Sequence, residues 1–207
     1  MHTVFINDQP LHFINIYDTK EIELSKGHAV HSEKDKSIGE LIADMELSNE
    51  PGEIYYLSEK ADIAWKIFIS HCTLIEAAGG LVQNDNGEFL LIFRQQKWDL
   101  PKGKMEYDET PEQTAAREIE EECGVNHLSV IRKLPLTFHT YKLKEKRMLK
   151  KNHWFHMHTE SDAPLVPERE EDIEEVCWMD KNTIRTKVLK NTYSAIAGLL
   201  NQFFGWH

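Results

Sequence analysis

Residues 103–125, GKMEYDETPEQTAAREIEEECGV, predict a helix whose two ends are both marked in the sequence. Thr110 and Gln113 form a T-x-x-Q capping box, and Pro111 suits the first helical position. Gly124 suits the left-handed residue that commonly follows a helix. The helix is therefore expected to begin at Pro111 and to end just before Gly124. One stripe of it can pack on a sheet, through Ala115, Ala116, Ile119 and Cys123.

The other face of this helix carries more negative charge than a helix C-terminus favours. Glu121 and Glu122 lie three and four residues after Glu118, so both project on the side of the helix that carries Glu118. Each like-charge pair costs roughly 0.2–0.5 kcal/mol, and the negative end of the helix dipole adds to that cost. A solvated acidic face is one interpretation. The other is a cation site, because clustered carboxylates suit hard ions such as Mg²⁺ or Mn²⁺.

The sequence divides into two regions near residue 73. We predict a small N-terminal α+β region over residues 1–73 and a larger domain over residues 74–207. The first region is expected to contain a β-hairpin around the turn NDQP, a helix over 38–46, a strand EIYYL and a helix over 59–70. The apolar face of the second helix is predicted to consist of Ala64, Ile67, Phe68 and His71.

The larger domain interleaves strands with two helices. Strands are predicted at 73–83 and, after the turn NDNG, in EFLLIFR; WDLPKG then reads as a loop. The remaining predicted elements are strands near 128–143, 150–160 and 176–179 and a C-terminal helix with the apolar stripe Tyr193, Ile196, Ala197, Leu200, Phe203 and Phe204. The pattern indicates an α/β fold in which a mixed sheet lies between helical layers.

Composition and charge exclude several functional classes. The 207 residues carry a net charge of -11, which argues against a nucleic-acid partner. No apolar run approaches the ~20 residues of a membrane span, and the first residues lack the pattern of a signal peptide. We therefore expect a cytoplasmic protein without a membrane partner. The three separated cysteines fit reduced thiols in such a compartment.

The segment 103–125 resembles the Nudix hydrolases. It matches the family pattern G-x5-E-x7-R-E-U-x-E-E-x-G-U, where U is aliphatic, at every fixed position: Gly103, Glu109, Arg117, Glu118, Ile119, Glu121, Glu122, Gly124 and Val125. AAGGLV, WDLPKGK and EEDIEEVCWM around it also look like the family. The resemblance covers about residues 74–204 and implies a Nudix-type α/β/α sandwich. It further implies a Mg²⁺-dependent hydrolase, with Mn²⁺ as a substitute, that cleaves a nucleoside diphosphate linked to another group.

The resemblance also implies roles for the matching residues. Glu118, Glu121 and Glu122 should hold the divalent cations, with a backbone carbonyl near Gly103 as a further ligand. Arg117 should orient the glutamates, and Glu109 should brace the loop–helix junction or join the outer metal shell. Catalysis is thereby expected from Glu118, Glu121 and Arg117.

The general base is less closely defined. The candidates are a glutamate of the helix or, in the late acidic run PEREEDIEE, Glu171 or Glu170. The simpler interpretation of that run is a solvated loop. We take Glu171 as the candidate from the loop.

The resemblance implies a small nucleotide or polyphosphate as substrate, and two basic groups of residues are candidates to bind it. Arg94 and Lys102 flank the loop before the helix. The run KLKEKRMLKKN over 142–152 carries six basic residues and one acid, and Lys150 within it is a candidate phosphate ligand. Tyr141 and the motif WDLPKGK resemble dinucleoside polyphosphate hydrolases and the related diphosphoinositol group, so the prediction favours a dinucleoside polyphosphate.

Two other functions stay open. The chain could be a catalytically silent nucleotide sensor, although residues 1–73 hold 13 acidic and 6 basic residues, a poor balance for DNA binding. It could also be an ADP-ribose or nucleoside triphosphate pyrophosphatase. Residues 1–73 are candidates for a dimerisation module or a substrate lid, so a homodimer is possible in this interpretation; a packing extension is the alternative.

Overall fold

The computed structural model describes residues 1–21, 29–48 and 52–206 of the chain. These residues form two compact units. The first unit combines Met1–Ile75 with Phe138–Lys151, and the second combines Glu76–Thr137 with Asn152–His207.

The described residues form twelve strands and five α-helices. The strands are β1 His2–Ile6, β2 Gln9–Asn15, β3 Ala29–Ser32, β4 Ile54–Ser58, β5 Thr73–Gln83, β6 Phe89–Arg94, β7 Lys97–Asp99, β8 Lys102–Lys104, β9 Leu128–Lys133, β10 Thr137–Leu143, β11 Lys146–Thr159 and β12 Ile173–Met179. The helices are α1 Ile38–Leu47, α2 Ala61–Ser70, α3 Pro111–Cys123, α4 Lys181–Thr186 and α5 Ser194–Phe204.

The first unit is built on the predicted hairpin. β1 and β2 pair antiparallel through a two-residue turn, where Asn7 and Asp8 both take a positive φ, at 50° and 64°. This is the turn geometry that Asn and Asp tolerate best among residues with side chains. β10 lies parallel to β1, and β4 lies parallel to both β2 and β3. The predicted hairpin and EIYYL strand are confirmed, whereas the sequence reading did not predict β3.

Two helices cover the core of this unit. α1 begins with the predicted capping box, in which Ser37 and Glu40 satisfy each other's backbone N–H groups. α2 buries Trp65 against Phe13 and Phe68. The predicted face of α2 was wrong in part: Ile67 is exposed, His71 is exposed and follows the end of the helix, and Trp65 occupies the core instead. The large ring fills the space that the aromatic residues of the sheet leave beneath the helix.

In the second unit a sheet is packed between helices on both faces. β6 lies between β5 and β12, and it pairs antiparallel with each. Leu90 and Ile92 pack in one cluster with Ile119 of α3. Phe89 and Leu91 point to the opposite face and share a cluster with the buried face of α5. Alternate residues of one strand thus feed two cores, which is the predicted α/β/α sandwich.

Three segments after residue 75 differ from the sequence-based prediction. WDLPKG is not a plain loop, since it contains β7, paired with β6, and β8, paired with β5. The region 128–143 forms two strands, and α4 was not predicted. The C-terminal helix is confirmed, with Ile196 and Leu200 buried. Among the described residues, no helix has the length and apolarity that crossing a membrane requires.

The division of the chain is more complex than one boundary near residue 73. Residues 138–151 group with the N-terminal residues because β10 pairs with β1. The same segment carries most of the basic run, so that run belongs to the first unit. The functions assigned to residues 1–73 and 74–207 stay predictions.

Candidate active site

The helix α3 forms with both of its predicted ends. The Gln113 backbone N–H donates to the Thr110 hydroxyl (3.3 Å), and the Thr110 N–H donates to the Gln113 side chain (2.8 Å). Gly124 follows the helix with φ 73°, a conformation in which a Cβ would cause strain. Ala115, Ile119 and Cys123 face the sheet, as predicted from the apolar stripe. This anchoring sets the direction of the glutamates on the other face.

Arg117 is the centre of the polar network on that face. Its Nε and Nη2 donate to the two carboxylate oxygens of Glu109, at 2.7 and 2.9 Å. Its Nη1 donates to Glu118 and to Glu121, both at 2.8 Å. Nη2 also donates to the carbonyl of Lys104, at 3.1 Å. All five N–H donors of the guanidinium are thereby engaged, so Arg117 positions carboxylates and has no donor left for a substrate.

Glu109 is held firmly as the partner of Arg117. Besides the guanidinium, its carboxylate accepts the Thr114 hydroxyl at 2.7 Å and the Glu106 N–H at 3.1 Å. These hydrogen bonds, that of Arg117 first, lower the pKa of Glu109 to about 2. The carboxylate therefore connects the loop before α3 with the helix itself. This geometry suits the brace that the sequence suggested.

Gly103 makes room for the carboxylate of Glu118. A Cβ added at residue 103 would lie 1.8 Å from Oε2 of Glu118, far inside any allowed contact. Glu118 is also largely enclosed, with 13% of its side chain exposed. The glycine is thus required by the close approach of a carboxylate to the strand β8. The Gly103 carbonyl as a metal ligand stays a prediction.

The three predicted metal ligands stand in three different environments. Glu121 is half exposed, whereas only 2% of the Glu122 side chain is accessible. Glu122 accepts the backbone N–H of Lys102 at 2.8 Å. Burial raises the pKa of Glu122 to about 7, although the charges of Lys102 and Arg94 act in the opposite direction. The spacing of the three glutamates in the sequence does not predict these differences in burial.

Lys102 does not lie where a phosphate ligand would be accessible. Its side chain is 6% exposed, and its ammonium contacts the buried carboxylate of Asp99 at 2.5 Å. The ammonium is thus engaged inside the protein, and the role of Lys102 as a substrate contact stays a prediction. Arg94 is partly exposed, with Nε 3.4 Å from Asp99 and Nη1 4.0 Å from Glu122. The 3.4 Å contact is an ion pair without hydrogen-bond geometry.

The late acidic loop packs at the C-terminal end of α3. The backbone N–H of Glu168 donates to the carbonyl of Glu122 at 3.2 Å, and a short 3-10 turn follows at Arg169–Glu171. Burial, then the charges of Glu171 and Glu121, raise the pKa of Glu168. Glu171 itself is exposed. The sequence reading named Glu170 and Glu171 and missed Glu168, although the same acidic run contained it.

The remaining predicted ligands lie on other strands. Tyr141 lies on β10 and Lys150 on β11, both in the first unit. Their roles as substrate ligands stay predictions. Two histidines of β11 have acidic partners, since His153 contacts Glu76 at 3.2 Å and His158 contacts Asp85 at 3.1 Å. His156 packs against the ring of Phe203, and its buried Nε2 has no hydrogen-bond partner among the described residues.

The donor set of α3 and its loop suits a hard divalent cation. Carboxylate oxygens are the ligands that Mg²⁺ and Mn²⁺ prefer. The raised pKa of Glu168 reflects, after burial, an excess of negative charge around it. Across the described ranges, however, no three ligating side chains are gathered into one cluster. Arg117 donates to Oε1 of Glu118 and to Oε2 of Glu121, so it orients these two carboxylates.

The family model described as the NUDIX domain matches residues 73–200 of the chain. The chain belongs to the NUDIX family. The match spans the sandwich, α3 and the acidic loop, which are the parts that assemble the glutamate site. It confirms the resemblance that segment 103–125 carried.

Among curated relatives of this NUDIX chain is the 8-oxo-dGTP diphosphatase of Escherichia coli (strain K12). The two are 36% identical over 72 residues, which are 31% of this chain and 56% of that protein. The 8-oxo-dGTP diphosphatase of Haemophilus influenzae is 38% identical over 58 residues, or 25% of this chain and 43% of that protein. The chain spans about half the length of the curated relatives it matches.

A solved structure that resembles the chain is a Caenorhabditis elegans Ap4A hydrolase in a binary complex, with a TM-score of 0.47 and 21% identity. It covers 64% of this chain, and the match includes 96% of that protein. The MutT protein of Methanosarcina mazei Go1 has a TM-score of 0.48 at 22% identity, covering 65% of this chain and 95% of that one.

Proposed function

We propose that the chain is a divalent-cation-dependent pyrophosphohydrolase that acts on a nucleoside diphosphate linked to another group. The observation that carries this proposal is the complete glutamate motif together with its Arg117 network. Sensors that no longer hydrolyse have no need for an arginine that positions three carboxylates by charge-assisted hydrogen bonds. Family membership agrees with the proposal.

The proposed ligands of the cation are Glu118, Glu121 and Glu122, with the carbonyl of Gly103. Mg²⁺ is the proposed ion and Mn²⁺ its substitute. A bound ion of this class neutralises charge on the phosphates and lowers the pKa of the attacking water. Arg117 is a positioning residue in this scheme, since its donors all point to protein acceptors. Arg94 is the proposed substrate contact at the edge of the site.

The general base is proposed to lie in the acidic loop. Glu171 is one candidate, being exposed at the 3-10 turn. Glu168 is added as a second, because its backbone is hydrogen-bonded to the end of α3. A Glu168→Gln variant and a Glu171→Gln variant distinguish them. The base should show a large loss of kcat and a loss of the acidic limb of the pH profile; the other residue should show neither.

The proposed substrate class is a dinucleoside polyphosphate, because Tyr141 and the motif WDLPKGK resemble those of dinucleoside polyphosphate hydrolases. A second candidate is a modified deoxynucleoside triphosphate. It is favoured by the 36% identity to a relative named 8-oxo-dGTP diphosphatase. The two classes differ in products: a dinucleoside polyphosphate yields two nucleotides, whereas a triphosphate yields a nucleoside monophosphate and pyrophosphate.

A substrate panel tests the activity and separates the two classes. Dinucleoside tetraphosphate, 8-oxo-dGTP, ADP-ribose and unmodified triphosphates are incubated with Mg²⁺ or Mn²⁺, and the products are separated by ion-exchange chromatography. Glu121→Gln should abolish turnover. Glu120→Gln is the matched control, because it removes an exposed neighbouring carboxylate from the same helix. No turnover of any diphosphate compound above the Glu121→Gln background refutes the proposal.

The cytoplasmic location and the lack of nucleic-acid and membrane partners stay predictions from composition. The possible homodimer is likewise untested, and light scattering of the purified chain measures it directly. A DNA gel shift combined with absence of hydrolysis would instead favour the sensor.

A further inference from the structure

A cavity of about 500 Å³ lies within the first unit. Its wall is formed by Glu46 near the end of α1, residues 70–73 at the C-terminal end of α2, and Lys142 with residues 144–147 in the β10–β11 hairpin. The volume falls within the range of about 300–1,000 Å³ that small-molecule sites occupy. Neither the glutamates of α3 nor the acidic loop contribute to it. It shares no lining residue with the glutamate cluster of α3.

The wall of this cavity is basic in a protein that is acidic. Lys142, Lys144, Lys146 and Arg147 line it, against only Glu46 and Glu145. The chain as a whole carries a net charge of -11. A local excess of positive charge attracts anions and repels the cations that surround the rest of the surface.

The floor of the cavity is held by an internal ion pair. Glu46 is largely buried, and its carboxylate contacts Nε of Arg147 and Nζ of Lys142, the latter at 3.1 Å. Nη1 of Arg147 donates to the carbonyl of His71 at 3.4 Å. The guanidinium is thus fixed in place before a ligand arrives, which lowers the entropy lost on binding. Within the described residues, its Nη2 meets no acceptor.

Two lysines at the rim carry positive charges that no acidic side chain of the described residues neutralises. Lys144 and Lys146 are exposed, and neither forms an ion pair with an acidic residue of the described chain. Lys144 also has φ 55°, a conformation that glycine, asparagine and aspartate adopt far more readily than lysine. A hairpin tip selected only for its turn would favour those residues.

We propose that this cavity binds the phosphate chain of an oligophosphate, independently of the glutamates of α3. A fixed arginine suits two oxygens of one phosphate, and two mobile lysines can reach the next phosphates along the chain. The wall offers little apolar surface, so a compact multivalent anion fits it better than a large ring system. The proposal goes beyond the hydrolase function and does not depend on it.

Binding of inorganic tripolyphosphate to the full chain tests the site. Isothermal titration calorimetry is carried out in buffer stripped of divalent cations, which keeps the glutamate site from recruiting the anion through a metal. Lys144→Ala/Lys146→Ala should weaken binding at least tenfold. The matched control is Lys34→Ala/Lys66→Ala, which removes two exposed lysines of the same unit outside the cavity. The control should keep the wild-type affinity, and all variants should melt at the wild-type temperature.

A variant of the α3 glutamates tests whether tripolyphosphate binds at those glutamates instead of in the cavity. Glu118→Gln/Glu121→Gln should bind tripolyphosphate as the wild type does. No binding heat for the wild type, or equal weakening in the rim and control variants, overturns the proposal. The proposal is also overturned if Glu118→Gln/Glu121→Gln loses tripolyphosphate binding while Lys144→Ala/Lys146→Ala keeps it.

The oligophosphate can be the far end of a substrate or a separate effector. If it belongs to the substrate, Lys144→Ala/Lys146→Ala raises KM for a dinucleoside tetraphosphate with kcat unchanged. If it is an effector, the variant keeps both constants, and tripolyphosphate changes the rate of the wild type only. Failure of the proposed function leaves the calorimetric result intact, because that assay needs no turnover.

Discussion

Replacing Gly103 by alanine tests whether the exact place of the Glu118 carboxylate matters for function. The added methyl carbon would lie 1.8 Å from Oε2 of Glu118, whereas Cβ atoms essentially never approach a heavy atom within 3.0 Å. The carboxylate must therefore move by at least about 1.2 Å. That movement breaks or lengthens its 2.8 Å hydrogen bond with Arg117. The backbone at residue 103 does not have a positive φ, so alanine itself is not strained there.

The expected effects differ sharply between activity and stability. A misplacement of about 1 Å in a catalytic group can cost about 100-fold in rate, so kcat/KM should fall by about that factor. Stability should fall by only about 1–2 kcal/mol, since one charge-assisted hydrogen bond is disturbed near the surface. Activity is measured on the substrate that the panel identifies, and stability by urea unfolding. Gly198→Ala is the matched control, because no atom lies within 4 Å of the added carbon.

A double-variant cycle makes the reasoning refutable. If the alanine acts through Glu118, then Gly103→Ala should have almost no further effect in a Glu118→Ala background, where the space is free. Full activity of Gly103→Ala alone refutes the requirement for the carboxylate's position. A large additional loss in the Glu118→Ala background shows that the methyl group acts elsewhere.

Three further predictions concern buried or partly buried groups. Asp99→Asn leaves the Lys102 ammonium buried without its counter-charge, so the free energy of unfolding measured in urea should drop by about 3–5 kcal/mol. Adding Lys102→Met should restore part of that loss. A drop below about 1 kcal/mol contradicts the pairing. Burial raises the pKa of Cys72 to about 11, so its alkylation by iodoacetamide should be slow at pH 8 and rise about tenfold per pH unit up to pH 10; rapid labelling at pH 8 opposes this. The hydrogen bond from Arg147 lowers the pKa of Glu46 from its ordinary 4.5, so its stabilisation is present above that value and is lost as pH falls through the lowered pKa. The stability difference between wild type and Glu46→Gln should therefore shrink from pH 7 to pH 3; a constant difference would count against the ion pair.

Local features of the chain were predictable because their causes are local. The capping boxes at Thr110 and Ser37 act between residues three positions apart, and both form as expected. The hairpin turn at Asn7–Asp8 depends on two adjacent residues. The motif of residues 103–125 was recognisable for the same reason, since all of it lies in one continuous segment of 23 residues.

Features that depend on distant partners were not predictable in the same way. Asp99 lies only three residues before Lys102, but the burial of both side chains, which keeps their ion pair inside the protein, depends on tertiary packing. The apolar spacing of α2 could not decide between Ile67 and Trp65, because the choice depends on which rings of the sheet lie below. The sequence does not distinguish Glu168 from the other acidic residues of its loop, because its backbone hydrogen bond to Glu122 joins segments far apart in the chain.

By itself, the sequence determined the helix α3, its caps, its acidic face and the family to which the chain belongs. Only the tertiary structure decided which glutamate is buried, which is half exposed and which requires the glycine of β8. It also decided that residues 138–151 join the first unit, where their lysines and Arg147 line a cavity. The physical reason is that burial and charge pairing depend on distances between segments far apart in the chain. Spacing along one helix determines only which side chains share a face.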